Sequence, residues 1–346
     1  MPARPDADFN MRSIELLKFP LWIVALFTRA KSFKKNPVLG NRTLNRCGLH
    51  VLRIISAWCI YNFRQAVLFF LIRPEDRAAF KHKGFIVKQN FLGEETFARL
   101  LEEISSYQGD AWESIQGDTI TQHIFLDNHT LKTLPRCRQL VNDPDLLSPM
   151  KWCAGKASYP RFFIQEIKNH YAEGIDDPQK VLHSDTFHPA VKCWFFLQDV
   201  SIDDGPFTYV PGSHRLTLKK LRWLYHKSCE AAALHDGHSE DGSFRVRTDE
   251  LDELGLPAPE PLTVRKNTLV IADTSGFHCR GTVVNKGVRS EIFGFFRPNP
   301  FNPLPGLDIQ ALRKLNQSVI RKFYYYRDSR ERKQGRQAFW HLVKIK

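Results

Sequence analysis

The chain has 346 residues, 42% hydrophobic and 25% charged, a globular composition with room for a sizeable core that excludes disorder over most of its length. Its seven cysteines are odd in number and scattered, with no CxxC pair, which excludes a disulfide scaffold and fits reduced thiols in a cytoplasm-like compartment. The net charge of +13 sits at the two ends: residues 1–80 hold 13 Lys/Arg against 5 Asp/Glu, residues 301–346 hold 11 against 3, and the middle is left at −3. Basic ends around a near-neutral body point to an anionic partner surface, membrane or nucleic acid.

The first apolar stretch, Ile14 to Thr28, is broken by Lys18 and Pro20, and its uninterrupted part from Leu21 is too short to span a bilayer. More positive charge follows it than precedes it and no small-residue cleavage site follows, which argues against a secretory signal. Leu49 to Ile72 predicts one long helix in which His50, Arg53, Tyr61, Arg64 and Gln65 form a narrow polar stripe beside a wide apolar face. Two arrangements satisfy it. The helix packs against a globular domain, or it lies in a bilayer interface with its arginines at the phosphates and Trp22, Trp58 and Tyr61 at interfacial depth. Aliphatic runs among the basic residues fit a membrane better than a nucleic-acid backbone.

Beyond Pro74 the pattern predicts a short polar helix (75–82), a strand (83–88), a helix from Leu92 to about Tyr107 and a strand pair over 111–126 around Gly117-Asp118. Helical turns follow over 130–154. From 160 the pattern turns to strands: 161–168, 190–199, 207–210, 262–264, 268–273 and 290–297, interrupted by a helix over 216–234 and a polar loop over 235–242. Short strands separated by Gly/Pro turns indicate a β-sandwich or jelly roll. No Walker loop and no GxGxxG after a strand is present, which disfavours nucleotide folds. The last 40 residues, basic and aromatic, predict one or two helices.

His183-Ser184-Asp185 sets an imidazole and a carboxylate on one face of a strand end, because side chains alternate with period two. His278, after Asp273-Thr-Ser-Gly-Phe at the end of another predicted strand, is the candidate third ligand. Two histidines and one carboxylate leave three open positions on a metal, as non-haem Fe(II) chemistry needs. Arg289, 11 residues further on, is placed to clamp a carboxylate in bidentate fashion.

Together with Ala190-Val-Lys-Cys-Trp194 and Asp204-Gly-Pro-Phe-Thr-Tyr-Val-Pro-Gly-Ser-His214, these residues resemble the phytanoyl-CoA dioxygenase-like branch of the Fe(II)/2-oxoglutarate dioxygenases over roughly residues 84 to 300. The resemblance implies a mainly β fold with flanking helices around a double-stranded β-helix (jelly-roll, cupin-like) core over 81–300, with 1–80 a basic amphipathic helical segment and 301–346 a basic aromatic tail. It implies His183, Asp185 and His278 as catalytic iron ligands, Arg289 as the anchor of 2-oxoglutarate, Trp194 as a wall of the cosubstrate pocket and Gln165 as a pocket residue. Fe(II) is the implied cofactor, with 2-oxoglutarate and O2 as cosubstrates. Halogenating relatives carry a small residue at the carboxylate ligand, so Asp185 implies hydroxylation. Cys279 and Arg280 depart from the small or hydroxyl residues found after the last histidine in relatives. The substrate expected is a lipid, acyl-thioester or lipid-linked sugar at the cytoplasmic face of a membrane held through residues 1–80 and 301–346. The alternatives are a soluble enzyme acting on a small polar metabolite or CoA ester, and a non-catalytic jelly-roll binding protein.

Overall fold

The computed structural model describes residues 18–172, 177–284 and 286–345; the first residues of the apolar stretch that begins at Ile14 lie outside that set. Eleven strands among these residues form two sheets. The larger has the order β1 (Phe85–Lys88), β8 (Thr268–Asp273), β5 (Val191–Phe196), β10 (Gly287–Phe296), β4 (Arg161–Asn169), β3 (Thr119–Phe125), β2 (Gly109–Gln116) and β11 (His341–Ile345), every neighbour antiparallel. The smaller is β7 (Glu260–Pro261), β6 (Phe207–Tyr209) and β9 (His278–Arg280). The two face each other as the halves of a jelly roll; the predicted strands fall where the sequence places them except that expected over 262–264, where the strand is Glu260–Pro261 and only Val264 forms a bridge, to Val200.

Period two divides the large sheet into two cores. Cys193 and Phe195 turn outward with Ile164, Leu269 and Ile292, under the helices α5 (Glu94–Ser105), α6 (Pro135–Val141) and α7 (Pro144–Ala154). Trp194 and Phe196 turn inward with Phe163, Val270 and Phe293, against Phe207 and Tyr209 of the small sheet. The strands β5 and β8, buried on both faces, read as near-continuous apolar runs.

Residues 301–346 hold the expected helix and, beyond it, a strand that the sequence pattern does not predict. One helix, α10 (Gln310–Lys333), lays Ile320, Tyr324 and Tyr325 on the inner face of the sheet, and the chain then returns as strand β11 on the edge of β2. A helix not anticipated by the pattern, α9 (Thr248–Leu254), follows the loop at 235–242.

At the N-terminus, α1 (residues 18–25) and α2 (Arg42–Arg46) lead into α3 (Leu49–Val67), and α4 (Pro74–Lys83) joins it to β1. In α3 the polar stripe faces inward. Arg53 donates to the carbonyls of Leu26, Thr28 and Ala30, Tyr61 to that of Cys153, and Arg64 to those of Asn299 and Asn302. The expectation of arginines reaching out to phosphates, with Tyr61 at interfacial depth, is corrected: these groups satisfy carbonyls that lack helix or sheet partners. The apolar face is the exposed one, with Leu52 64%, Trp58 43%, Phe63 56% and Val67 44% accessible. No helix among the described residues is long and apolar enough to cross a membrane.

Candidate active site

The metal-capable residues converge between the sheets. His183 and His278 pair as an antiparallel bridge, each backbone N–H donating to the other's carbonyl at 3.0 and 2.9 Å, which sets their rings 4.5 Å apart. The Asp185 backbone N–H donates to the Thr274 carbonyl at 2.9 Å, which swings the carboxylate between the rings, Oδ1 3.8 Å from His183 Nε2 and 3.9 Å from His278 Nε2. One ligand atom from each residue lies within 4.8 Å of the others, and all three residues are buried.

Each ring is locked from behind. His183 Nδ1–H donates to the Val181 carbonyl at 2.7 Å and His278 Nδ1–H to the Gly276 carbonyl at 2.9 Å. A carbonyl only accepts, so the proton sits on Nδ1 and the Nε2 lone pair points into the site. Burial holds both imidazoles neutral, His183 well below its ordinary range and His278 at about 4. Burial alone would raise Asp185, but the Lys192 ammonium holds its carboxyl well below the usual carboxylate range. Lys192 Nζ lies 2.7 Å from Oδ2, in ion-pair contact without hydrogen-bond alignment, and both Nε2 atoms and Oδ2 have no hydrogen-bond partner. Two buried imidazole nitrogens without partners, converging on one carboxylate, suit a divalent cation. Gly276, whose carbonyl holds His278, has to be glycine: a Cβ there would lie 1.9 Å from the Tyr209 hydroxyl oxygen.

A cavity of about 210 Å³ opens from the two histidines toward Arg289, lined also by Trp194, Gln165, Phe207 and Phe293. Arg289 is buried, its Nε 2.9 Å from Glu291 Oε2 and a terminal nitrogen on the Gly205 carbonyl. Gly205 presents that carbonyl from a left-handed turn (φ 66°), where a Cβ would strike Val283 at 2.6 Å. Gln165 lines the cavity but is engaged at both ends, donating to Glu291 Oε1 at 2.6 Å and held by His123 Nε2 at 2.6 Å. Trp194 stands 4.3 Å from the Phe207 ring, centroid to centroid, as part of the inner core and of the cavity wall at once. Cys279 and Arg280 also line the cavity, and Arg280 is ion-paired to Asp177.

Among the residues that escaped the sequence reading are Lys192, His123 and Trp340 of the lining, and Glu291, which pairs with Arg289 and accepts from Gln165. Lys192 had a signal, as the one charge in an apolar six-residue strand with the parity of Trp194; so had Glu291, which shares a strand face with Arg289. His123 and Trp340, stacked with centroids 4.4 Å apart, had none, since 217 positions separate them and only the return of β11 joins them.

The family model described as phytanoyl-CoA dioxygenase (PhyH) matches residues 80–254, half of the chain, and takes in His183 and Asp185. The chain belongs to the phytanoyl-CoA dioxygenase family. It is a 2-oxoglutarate-dependent non-haem iron dioxygenase, with Fe(II) as its metal and 2-oxoglutarate and O2 as cosubstrates. His278 and Arg289 lie beyond the matched residues and join the site through the fold. Ectoine dioxygenases of Bordetella bronchiseptica and Bordetella parapertussis are each 23% identical over 256 residues, 65% of this chain and 76% of theirs. Among solved structures, HygX of Streptomyces hygroscopicus with nickel and 2-oxoglutarate bound is similar at 17% identity and TM-score 0.40, over 66% of this chain and 87% of that one. The epimerase SnoN in complex with Fe3+, alpha ketoglutarate and nogalamycin RO is similar at 17% identity and TM-score 0.42, over 66% and 83%.

Proposed function

We propose that the enzyme hydroxylates a C–H bond of a lipid, acyl-thioester or lipid-linked sugar presented at a membrane surface. The observation that carries the chemistry is one cavity with His183 and His278 at one end, Asp185 set between their rings, and the Arg289 guanidinium at the other. The three donors would hold Fe(II), and Arg289 would take the distal carboxylate of 2-oxoglutarate. Bound there, the iron supplies the centre at which O2 is consumed with 2-oxoglutarate, yielding succinate, CO2 and the hydroxylated substrate. The chain's own part is positional. The Val181 and Gly276 carbonyls keep both Nε2 atoms unprotonated, Lys192 keeps Asp185 ionised, and Trp194, Phe207 and Phe293 keep water from the reacting carbon.

A cavity of about 210 Å³ is smaller than the roughly 300–1,000 Å³ that encloses a whole drug-sized ligand, so with cosubstrate inside, most of the substrate stays outside its mouth. The outward apolar face of α3 supports a membrane as the place where such a substrate is met. A second reading, a small polar metabolite, is favoured by the polar lining at Ser114, Gln116, Thr121 and Gln179 and by the names of the Bordetella relatives.

The test is substrate-dependent succinate formation with Fe(II) and 2-oxoglutarate, comparing lipids in vesicles with soluble polar metabolites. Turnover confined to vesicle-borne substrate, and absent in Asp185→Ala and Arg289→Ala, is expected. Turnover of a soluble metabolite alone moves the assignment to the second reading, and a folded, iron-loaded protein that never consumes 2-oxoglutarate sinks both.

A further inference from the structure

A second cavity, of about 400 Å³, lies at the far end of β10 from Arg289, where α1 ends and α10 begins. Arg29, Lys156, Arg161, Arg297 and Arg313 line it, with Asp308 as the one carboxylate. Asp308 is already shared by Lys151 at 3.3 Å and Arg313 at 3.4 Å. The other four cations have no carboxylate within 4.0 Å among the described residues. Arg161 is instead seated on the Phe295 ring, and Arg29 donates to the Arg297 carbonyl. Burial pushes the Lys156 ammonium and the Arg161 guanidinium down, and their cationic neighbours Arg64 and Arg29 push the same way. A concave wall focuses a like-signed field, and arginines in that arrangement match the oxygens of a phosphate.

The surroundings name the source of the phosphate. Leu307, Ile309 and Leu312 belong to the same lining and are 77%, 47% and 58% exposed. Along α10 the outward stripe continues through Leu315, Val319 and Phe323, at helical spacing and with Lys314 and Lys322 beside it. On the other side Phe27 meets Phe301 edge-on at 6.4 Å, and Arg64 ties α3 to the 299–302 turn, which follows Pro298 of the lining. A nucleic acid would require a polar surround. A cationic hollow ringed by exposed leucines matches a phosphate at the headgroup level of a bilayer with acyl chains around it.

We propose that this cavity binds the phosphate of an anionic phospholipid headgroup and thereby orients the enzyme on the membrane. The assignment rests on the membrane reading for its occupant. It also bears on the active site: Phe293 of its wall lies only four residues before Arg297, which directly follows β10, about 13 Å at strand spacing. A docked headgroup would hold the triad within a lipid's length of the surface.

The experiment is flotation of the full-length protein with phosphatidylcholine vesicles, with and without phosphatidic acid. At about 1 kcal/mol for each basic residue near an anionic surface, Arg161→Gln/Arg297→Gln is expected to weaken binding to the anionic vesicles roughly 30-fold. It should leave binding to the neutral vesicles unchanged. Lys219→Gln/Arg222→Gln, an equal charge change on exposed positions of α8 (Leu218–Glu230), should cost far less. Trp58→Ser/Phe63→Ser should weaken binding to both vesicle types, which reads the membrane face separately. Equal loss in the two charge variants, or no preference for phosphatidic acid, would overturn the headgroup site while leaving the membrane reading intact. Absence of vesicle binding would overturn both, and binding of inorganic phosphate without vesicle binding would overturn the lipid occupant.

Discussion

Arg289 and Glu291 stand two residues apart on β10, so the strand period turns both onto the cavity face, where they are buried with Glu291 fully inaccessible. Removing one member of such a pair leaves an uncompensated buried charge, whereas replacing both with apolar groups is often neutral. Arg289→Met is therefore expected to lower stability by about 3–5 kcal/mol. Arg289→Met/Glu291→Met should recover most of that loss, short of the acceptor lost by Gln165. Neither variant should bind 2-oxoglutarate, because the guanidinium is gone in both. Urea unfolding reads the first claim, and an anaerobic Fe(II)/2-oxoglutarate titration reads the second through its visible charge-transfer band. A double variant that is stable and still gives the parental band would remove Arg289 from cosubstrate binding.

At the scale of elements, α3 inverts the usual rule that the apolar stripe of a surface helix faces the core. Its fold-holding residues are polar, since Arg64 satisfies the Asn299 and Asn302 carbonyls at 3.1 and 2.8 Å. Arg64→Leu removes both hydrogen bonds that this buried guanidinium makes to the 299–302 turn and should cost about 1.5–3 kcal/mol. Phe63→Ser, at a 56% exposed position, should stay within about 0.5 kcal/mol. Chemical denaturation of the two variants decides it, and the reverse order would mean that the apolar face packs inward. The stripe itself was legible in the sequence, because amphipathicity is a local property. Which face turns inward was not, because the deciding carbonyls lie at 26–30 and 299–302, far from the helix in the chain. The same division runs through the active site. His183, Asp185 and Arg289 could be read because strand parity and short spacings set them, whereas the His123–Trp340 stack depends on β11 finding the free edge of β2. That strand, His341–Ile345, alternates too weakly to stand out from a basic tail.

Over the whole molecule, the buried bases shift in one direction. Outside the triad, His50, His188 and His214 are pushed down by burial to about 3, and His123 to about 4. His50 sits against Phe33, Phe187 and Phe244 with neither ring nitrogen hydrogen-bonded. A base whose pKa is depressed on folding is held neutral in the native state, while the unfolded chain takes up its proton near pH 6.5. Its stabilising contribution is thus complete above that pH and is lost as pH falls toward the folded value. For each of these histidines the loss between about pH 7.5 and pH 5 comes to about 2 kcal/mol. Four together reach the roughly 5–15 kcal/mol that keeps a domain folded. Lys31 and Lys220, pushed by burial to about 8, extend the gain to higher pH. Cys193 and Cys279, raised by burial to about 12 and about 11, bring stability down again once unfolded thiols ionise. The optimum should therefore lie at about pH 8–9, above the usual range of about pH 5–8. Urea midpoints measured across that span should fall steeply on the acid side, and His50→Leu should flatten the fall by its own share of about 2 kcal/mol. A midpoint that holds constant from about pH 7.5 down to pH 5 would mean that these imidazoles are reached by water in the folded chain, and the packing described around His50 would have to be wrong.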